Sequence, residues 1–509
     1  MPQIIRRFVV FRTRYSGYFR RFTDQHRSKH MGQTRRDFIA QQGMLAAGIM
    51  SGIGPLSAWA VQPLPSGRPK PTERRFISQA VEDTIARMRK RIADPKLAQL
   101  FEHCFPNTLD TTVDFEMIDG KPDTFVITGD IDAMWLRDST AQVWPYLPLM
   151  KSDDKLRMLV EGVIHRQKKF IKLDPYANAF YKDPSKVSEW AKDHTVMKPG
   201  IHERKWEIDS LCYPVRLAWH FWKTTGRTTP FDADWEETIR LTIRTFREQQ
   251  RKNGDGPYSF QRTTYWATDG VPISGYGYPV KPVGLICSIF RPSDDATLWP
   301  FLIPANFFAV VSLRQAAEIL ETVRKNRTLA MECRKLATEV DTALKAYATT
   351  QHPAFGKIYA YETNGFGSYH LMDDANIPSL LSLPYLGAVG PDDAVYLNTR
   401  RFLLSEENPF FFRGKAGEGI GGPHAGMHMI WPLAVVMRGL TSSNEQEVRQ
   451  CLHILKTTDA GTGFMHEAFH KDDASKFTRK WFAWANTIFG EFVLQVERKF
   501  PALLELKDV

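Results

Sequence analysis

The apolar positions of this chain recur mostly at helical spacing. Ile77, Val81, Ile85, Met88 and Ile92 make one stripe, three to four residues apart. Similar stripes predict helices over 153–171, 206–225 and 235–250, and one over 138–149 interrupted at Pro145 and Pro148. Two strong segments, 305–323 and 327–348, read as an antiparallel hairpin. Shorter helices follow over 378–385, 392–404, 424–440 and 444–456, and a last one carries Trp484 and Asn486. Strand character is confined to 113–117 and 124–127. Between 254 and 304 the periodicity lapses and Gly, Pro, Tyr and Trp accumulate. A loop of that length inside a compact domain is usually functional. Many helices joined alternately by short turns and long loops predict an all-α toroid, with paired helices ringing a core and the long loops gathered at one mouth.

Composition supplies the material for that core: 43% of the 509 residues are hydrophobic and 12% aromatic. The formal charge of +10 points to nucleic acid until it is located. Residues 1–60 hold ten Lys/Arg against two Asp/Glu, which leaves the rest at +2. A basic nucleic-acid face loses its support. The same sixty residues read as an export signal. Thr34-Arg-Arg-Asp-Phe-Ile39 matches a twin-arginine motif, an apolar Gly/Ala-rich run covers 43–56, and Ala58-Trp59-Ala60 offers a small-x-small cleavage site. Met31, three residues before Thr34, is the expected start of the signal. The run is too short and Gly-rich for a membrane span. The expected partner is therefore the twin-arginine export machinery, and the expected location the periplasm or the medium. Pro63, Pro65, Gly67, Pro69 and Pro71 mark a linker over 61–75, with one domain over 76–509. The five cysteines are scattered, odd in number and without metal-ligand spacing, so they read as core thiols.

Ionisable groups gather in a few segments. The densest is Thr128-Gly-Asp-Ile-Asp-Ala-Met-Trp-Leu-Arg-Asp-Ser-Thr140, with Asp130, Asp132 and Asp138 as carboxylates, Arg137 as cation and Trp135 as aromatic. Charges are costly to bury beside a Trp unless paired. An indole rimmed by carboxylates and a guanidinium suits a sugar, whose C–H face packs on the ring while its hydroxyls take charged hydrogen bonds. An N-capped helix start with a surface Arg137–Asp138 pair fits the same residues. In Trp206-Glu-Ile-Asp-Ser-Leu-Cys-Tyr-Pro214, Asp209 falls at a helix start beside Glu207. It is either an N-cap or a general acid whose proton affinity is raised by its neighbours, with the helix dipole opposing. Phe290-Arg-Pro-Ser-Asp-Asp-Ala296 supplies Arg291, Ser293, Asp294 and Asp295, either as hydroxyl contacts or as a capped turn. Residues 414–423 lack the context of a phosphate loop and read as a cleft loop carrying Glu418 and His424. His466-Glu-Ala-Phe-His470 has zincin spacing, with Glu491 about where a third ligand falls. Zinc needs both His on one helical face, whereas Gly461, Gly463 and the polar run 471–476 argue for a loop. In a loop, Glu467 serves as a base. A zinc hydrolase and a non-catalytic glycan-binding protein remain the alternatives.

Five blocks, taken together, resemble glycoside hydrolase family 125. They are Gly129-Asp-Ile-Asp-Ala-Met-Trp-Leu-Arg-Asp-Ser139, Glu207-Ile-Asp-Ser-Leu-Cys-Tyr213, Phe290-Arg-Pro-Ser-Asp-Asp295, Met465-His-Glu-x-Phe-His470 and Phe482-x-Trp-x-Asn486. They occur in the family's order, and the resemblance runs from Phe76 to Phe500. It implies an (α/α)6 barrel and an exo-acting, inverting α-1,6-mannosidase that takes a mannose-containing glycan and needs no metal or cofactor. Matching the blocks puts Asp209 on the general acid and Glu467 on the general base. Asp132, Trp135, Arg137, Asp138, Arg291, Asp294, Asp295, His424 and Asn486 become the expected contacts of the terminal mannose. For Arg137 and Asp138, the Trp-x-Arg-Asp-Ser tile is also similar to that of glucoamylase-like enzymes.

Overall fold

The computed structural model describes residues 67–509. The twin-arginine signal, the Met31 start and residues 61–66 of the linker lie outside them. From Gly67 on, the chain is already docked, earlier than the linker reading expects. Gly67 N–H donates to His103 Nε2 at 2.9 Å, and the buried Arg68 lies 2.6 Å from Glu82 and 2.8 Å from Asp110.

The helices are α1 (Gln79–Arg91), α2 (Pro95–Cys104), α3 (Asn107–Thr111), α4 (Leu136–Val143), α5 (Asp154–Leu173), α6 (Ile208–Thr225), α7 (Ala233–Gln249), α8 (Ile303–Thr322), α9 (Arg327–Tyr347), α10 (Ala394–Leu403), α11 (Pro432–Leu440), α12 (Glu445–Thr457) and α13 (Ala483–Lys499). They form an (α/α)6 barrel. α4, α6, α8, α11 and α13 take inner positions, and α13 packs back on α4 to close the ring. α2, α5, α7, α9, α10 and α12 lie outside. The sixth inner place is filled by 378–386. Tyr213 on α6 donates to Ile377 O, Arg216 to Tyr385 O, and Tyr385 OH to Glu491 on α13.

That segment was expected to be a helix and is a coil of turns. Ser379 and Ser382 bond each other's backbone reciprocally, Asp373 accepts from Leu380 and Leu381 N–H, and Pro384 removes a donor. These local side-chain bonds outcompete the helical ladder. The helix expected over 424–440 begins only at Pro432, because Met429–Ile430 is drawn into a sheet with Ala468–His470. α4 gives way to a 3-10 turn, Trp144–Lys151, where Pro145 and Pro148 fall.

The two rings differ at their N-termini. Every outer helix is capped by a side chain: Asp94, Asp153, Asp232, Asn326, Asp393 and Asn444. The inner helices α4, α6, α8, α11 and α13 start after Trp135, Glu207, Leu302, Trp431 and Phe482, none of which supplies a capping bond. Short strands lead into these uncapped starts: Met134–Trp135, Ile201–Glu203, Phe301–Leu302, Met429–Ile430 and Asp473–Thr478. The barrel therefore has one end lined by helix N-termini, whose partial positive charge favours carboxylates. The expected hairpin of Val113–Ile118 with Lys121–Val126 is present. All five cysteines are buried and unbridged.

Candidate active site

Arg137 is the hub of the uncapped end. It sits in the first turn of α4 and is buried. Its Nη1 donates to Glu207 at 2.6 Å and to Asp209 at 3.3 Å, and its Nη2 to Asp294 at 3.1 Å. Asp138 lies 3.4 Å from its Nε. Three separated sequence blocks thus meet on one guanidinium. The surface-pair reading of Arg137–Asp138 is excluded, since both are almost wholly buried. The cap reading of Asp209 is excluded too. Glu207 holds the cap position, and Asp209 follows inside the first turn of α6.

Four carboxylates face one cation here, and solvent is largely shut out. Burial and mutual repulsion favour the protonated form of some of them, with Lys205 and Arg479 as further cations acting on Asp294 and Asp138. Burial pushes Asp209 up to about 6 against the pull of Arg137, and Asp138 likewise to about 6. Burial also carries Glu207 well above the usual carboxylate range. For Asp294 burial acts the same way, but Arg137 and Lys205 more than offset it and hold it well below. At Asp209 desolvation therefore outweighs the charge and hydrogen bond of Arg137. The Nε1 atoms of Trp135, Trp431 and Trp481 and Oδ1 of Asp209 are buried without a hydrogen-bond partner in the protein. Leaving such groups unmet costs roughly 1–3 kcal/mol each. Unmet indole N–H groups and a carboxylate oxygen suit an occupant with several hydroxyls.

The second carboxylate of interest arrives from the far end of the chain. Glu467 precedes the strand Ala468–His470, and its N–H donates to Thr478 O across the hairpin. Arg479 Nη1 donates to its Oε1 at 3.4 Å. The charge of Arg479 also reaches Asp138, which links this side to the Arg137 cluster.

The remaining expected contacts divide. Trp135 is buried, its ring edge-on to His202 at 5.1 Å. Asp294 and Asp295 come from a tight turn in which Arg291 N–H donates to Asp295 O. Asp294 adopts a φ of 66° there. His424 Nδ1 lies 3.4 Å from the buried Asp295. Arg291 instead donates to Glu362 at 2.7 Å and supports the turn from behind. Asn486 also proves to be a clamp: its Oδ1 accepts from Met465 N–H and its Nδ2 donates to Phe482 O, which ties the Glu467 strand to α13. Asp132 stands apart, mostly exposed and paired with Lys186 at 2.8 Å. Glu418 is not in the cleft; residues 411–420 form a hairpin in which it meets Arg413 and Arg438.

The zincin spacing does not make a zincin. Only Ala468–His470 is strand and Glu467 lies in a bend before it, so His466 and His470 do not share a helical face. His466 stacks on Phe477 at 3.7 Å, and His470 lies beside His428. Glu491 is elsewhere, accepting from Trp144 and Tyr385. Among the described residues no group of three or more His, Cys, Asp or Glu is arranged to hold a metal ion. Sequence reasoning missed Arg479 altogether and used Glu207 only as a neighbour of Asp209. It also missed Lys205, which donates to Asp294 O at 2.7 Å and to Asp269 at 2.8 Å.

The model of the metal-independent α-mannosidase family (GH125) matches residues 94–494. A solved Streptococcus pneumoniae protein of the metal-independent α-mannosidases, in a non-productive substrate complex with α-1,6-mannobiose, is 41% identical. The match covers 83% of this chain and 99% of that one, at a TM-score of 0.79. The meiotically up-regulated gene 157 protein of Schizosaccharomyces pombe is 40% identical over 462 residues, 87% of this chain and 90% of its own length.

Proposed function

This chain belongs to glycoside hydrolase family 125, the metal-independent α-mannosidases, and from that premise we propose that it removes terminal, non-reducing α-1,6-linked mannose from glycans by single displacement. One observation carries the reading. Two carboxylates from distant parts of the chain come to the same uncapped end of the barrel, each beside its own guanidinium. Asp209 is buried and its proton is retained up to about 6; Glu467 faces the Arg479 guanidinium. Asp209 gives its proton to the departing glycosidic oxygen. Glu467 takes a proton from a water that attacks C1 from the other face. Arg137, Asp138, Asp294 and Trp135 hold the terminal sugar, with Asp295 and His424 beside them. The pneumococcal relative's complex with an α-1,6-mannobiose supports the linkage. Hydrolysis of linkage-defined mannobioses, followed by NMR, tests it. The α-1,6 isomer should be cleaved fastest, β-mannose should appear first, and exhaustive EDTA should leave the rate unchanged. Initial release of α-mannose would mean double displacement and remove Glu467 from its role. Activity lost to EDTA and restored by zinc would revive the His466–His470 alternative.

We also propose export through the twin-arginine pathway to the periplasm or medium, on the strength of Arg35-Arg36, the apolar run and Ala58-Trp59-Ala60. Replacing both arginines with lysine should leave the protein uncleaved inside the cell. Cleaved, exported double mutant in a fractionation experiment sinks the idea.

A further inference from the structure

Arg479 sits in an unusual place with an unequal set of partners. Its φ is 39°, a left-handed conformation that costs a non-glycine residue energy and is tolerated where the surroundings enforce it. Nε and Nη2 both donate to one oxygen of Asp130, at 2.9 and 2.6 Å, and Nη2 also to Thr128 Oγ1 at 3.1 Å. Phe482 lies under the guanidinium at 4.7 Å. Glu467 receives only the third nitrogen, at 3.4 Å.

The anchor is itself fastened down. Gly129 bridges to Phe482, Asp130 N–H donates to Trp481 O, and Ala483 N–H donates to Thr128 O. Gly129 has φ 130°, and a Cβ there would lie 2.4 Å from Trp481 O. Only glycine lets the two segments lie this close. Asp130 is therefore held at a fixed distance from the chain that carries Arg479 and Glu467.

We propose that Asp130 and Arg479 are a positioning pair that tunes Glu467 as the base, Asp130 drawing the guanidinium back so that Arg479 steadies Glu467 without clasping it. The inference rests on the reading of Glu467 as base. A carboxylate in a crowd of acids and without a cation takes up a proton; one clasped by a guanidinium is a poor proton acceptor. The 3.4 Å contact lies between these limits. Among the described residues, the charge of Arg479 also reaches Asp138, which adjoins Arg137. His466, next in the chain, faces Phe477 and the carbonyl of Asp459 instead.

The test uses the full-length enzyme and an activated aryl α-mannoside, which needs little help from the acid. Arg479→Met should lower kcat far more than it raises KM. It should also move the acid limb of kcat/KM upward by about one pH unit. Arg479→Lys should restore part of both. Asp130→Asn should move the acid limb the opposite way, to lower pH, with a reduced kcat, because Arg479 then closes on Glu467. A purely structural pair would lower activity in all variants without moving the limb. Unfolding followed by circular dichroism separates misfolding from tuning; if Arg479→Met does not fold, the lysine and asparagine variants decide. The proposal is overturned by an unmoved limb, or by limbs that move in the same direction in the arginine and aspartate variants. Glu467→Gln, run alongside, keeps the two claims apart. Full activity in that variant removes the base itself; lost activity there with an unmoved limb in the others removes only the tuning.

Discussion

Asp209→Asn will cut hydrolysis of an unactivated mannobiose by about 10²–10⁴-fold, the usual worth of general acid catalysis. A dinitrophenyl α-mannoside, whose leaving group departs without a proton, will be hydrolysed nearly as well as by the parent enzyme. The alkaline limb of kcat/KM supplies a second reading. Burial pushes Asp209 up to about 6, so its proton is present below that pH and lost above it. The parent enzyme's rate on mannobiose should fall as pH rises through about 6, and in Asp209→Asn that limb should vanish. Glu467→Gln should instead depress both substrates alike, since each still needs an activated water. A mutant at Asp209 that loses both substrates equally would place the acid elsewhere.

The second large effect is expected at Arg137. Arg137→Met removes the one guanidinium on which Glu207, Asp209, Asp294 and Asp138 converge. Breaking a buried charge cluster from one side costs about 3–5 kcal/mol. Activity should fall at least about 10²-fold, as when a preorganised charge partner of the reacting groups is lost. The stability loss should depend on pH in a definite direction. Without the cation, the folded-state proton affinities of Asp209, Asp138 and Glu207, already above their unfolded values, rise further, and Asp294 loses the largest pull that holds it down. Such groups contribute stability at low pH and lose it as pH rises through the folded-state values. The variant should therefore be nearer the parent at pH 5 than at pH 8 in urea unfolding. An equal deficit at both would show that the carboxylates do not depend on Arg137.

How much of this was readable beforehand follows from distance along the chain. Asp209 and Glu467 stand in short blocks whose composition is odd for a helix start or a turn, and those blocks marked them. The capped or buried state of Asp209 was not readable, because it depends on Arg137 in another block. Arg479 left no local sign: its partner Asp130 is 349 residues away. Asp132 and Asn486 were drawn into the site by proximity to strong neighbours, yet one faces solvent and the other clamps backbone. The apolar stripe located the long helices well. It failed at 378–385, where serine side chains bond the backbone, and at 424–431, where a strand pairing more than thirty residues ahead claims the start of the expected helix.

The unequal capping of the two rings bears on how this barrel can be made hardier. A side-chain cap is worth about 1 kcal/mol, and the five inner helices go without one at their starts. Adding an aspartate or serine there is the obvious route to a higher melting temperature. Each such change would replace Trp135, Glu207, Leu302, Trp431 or Phe482; Trp135 is a proposed sugar contact and Glu207 a partner of Arg137, so robustness gained at those starts would be taken from turnover. Screens for heat-tolerant variants should find their useful substitutions on the outer ring and its connections. Those that arise at the inner starts should be slow enzymes.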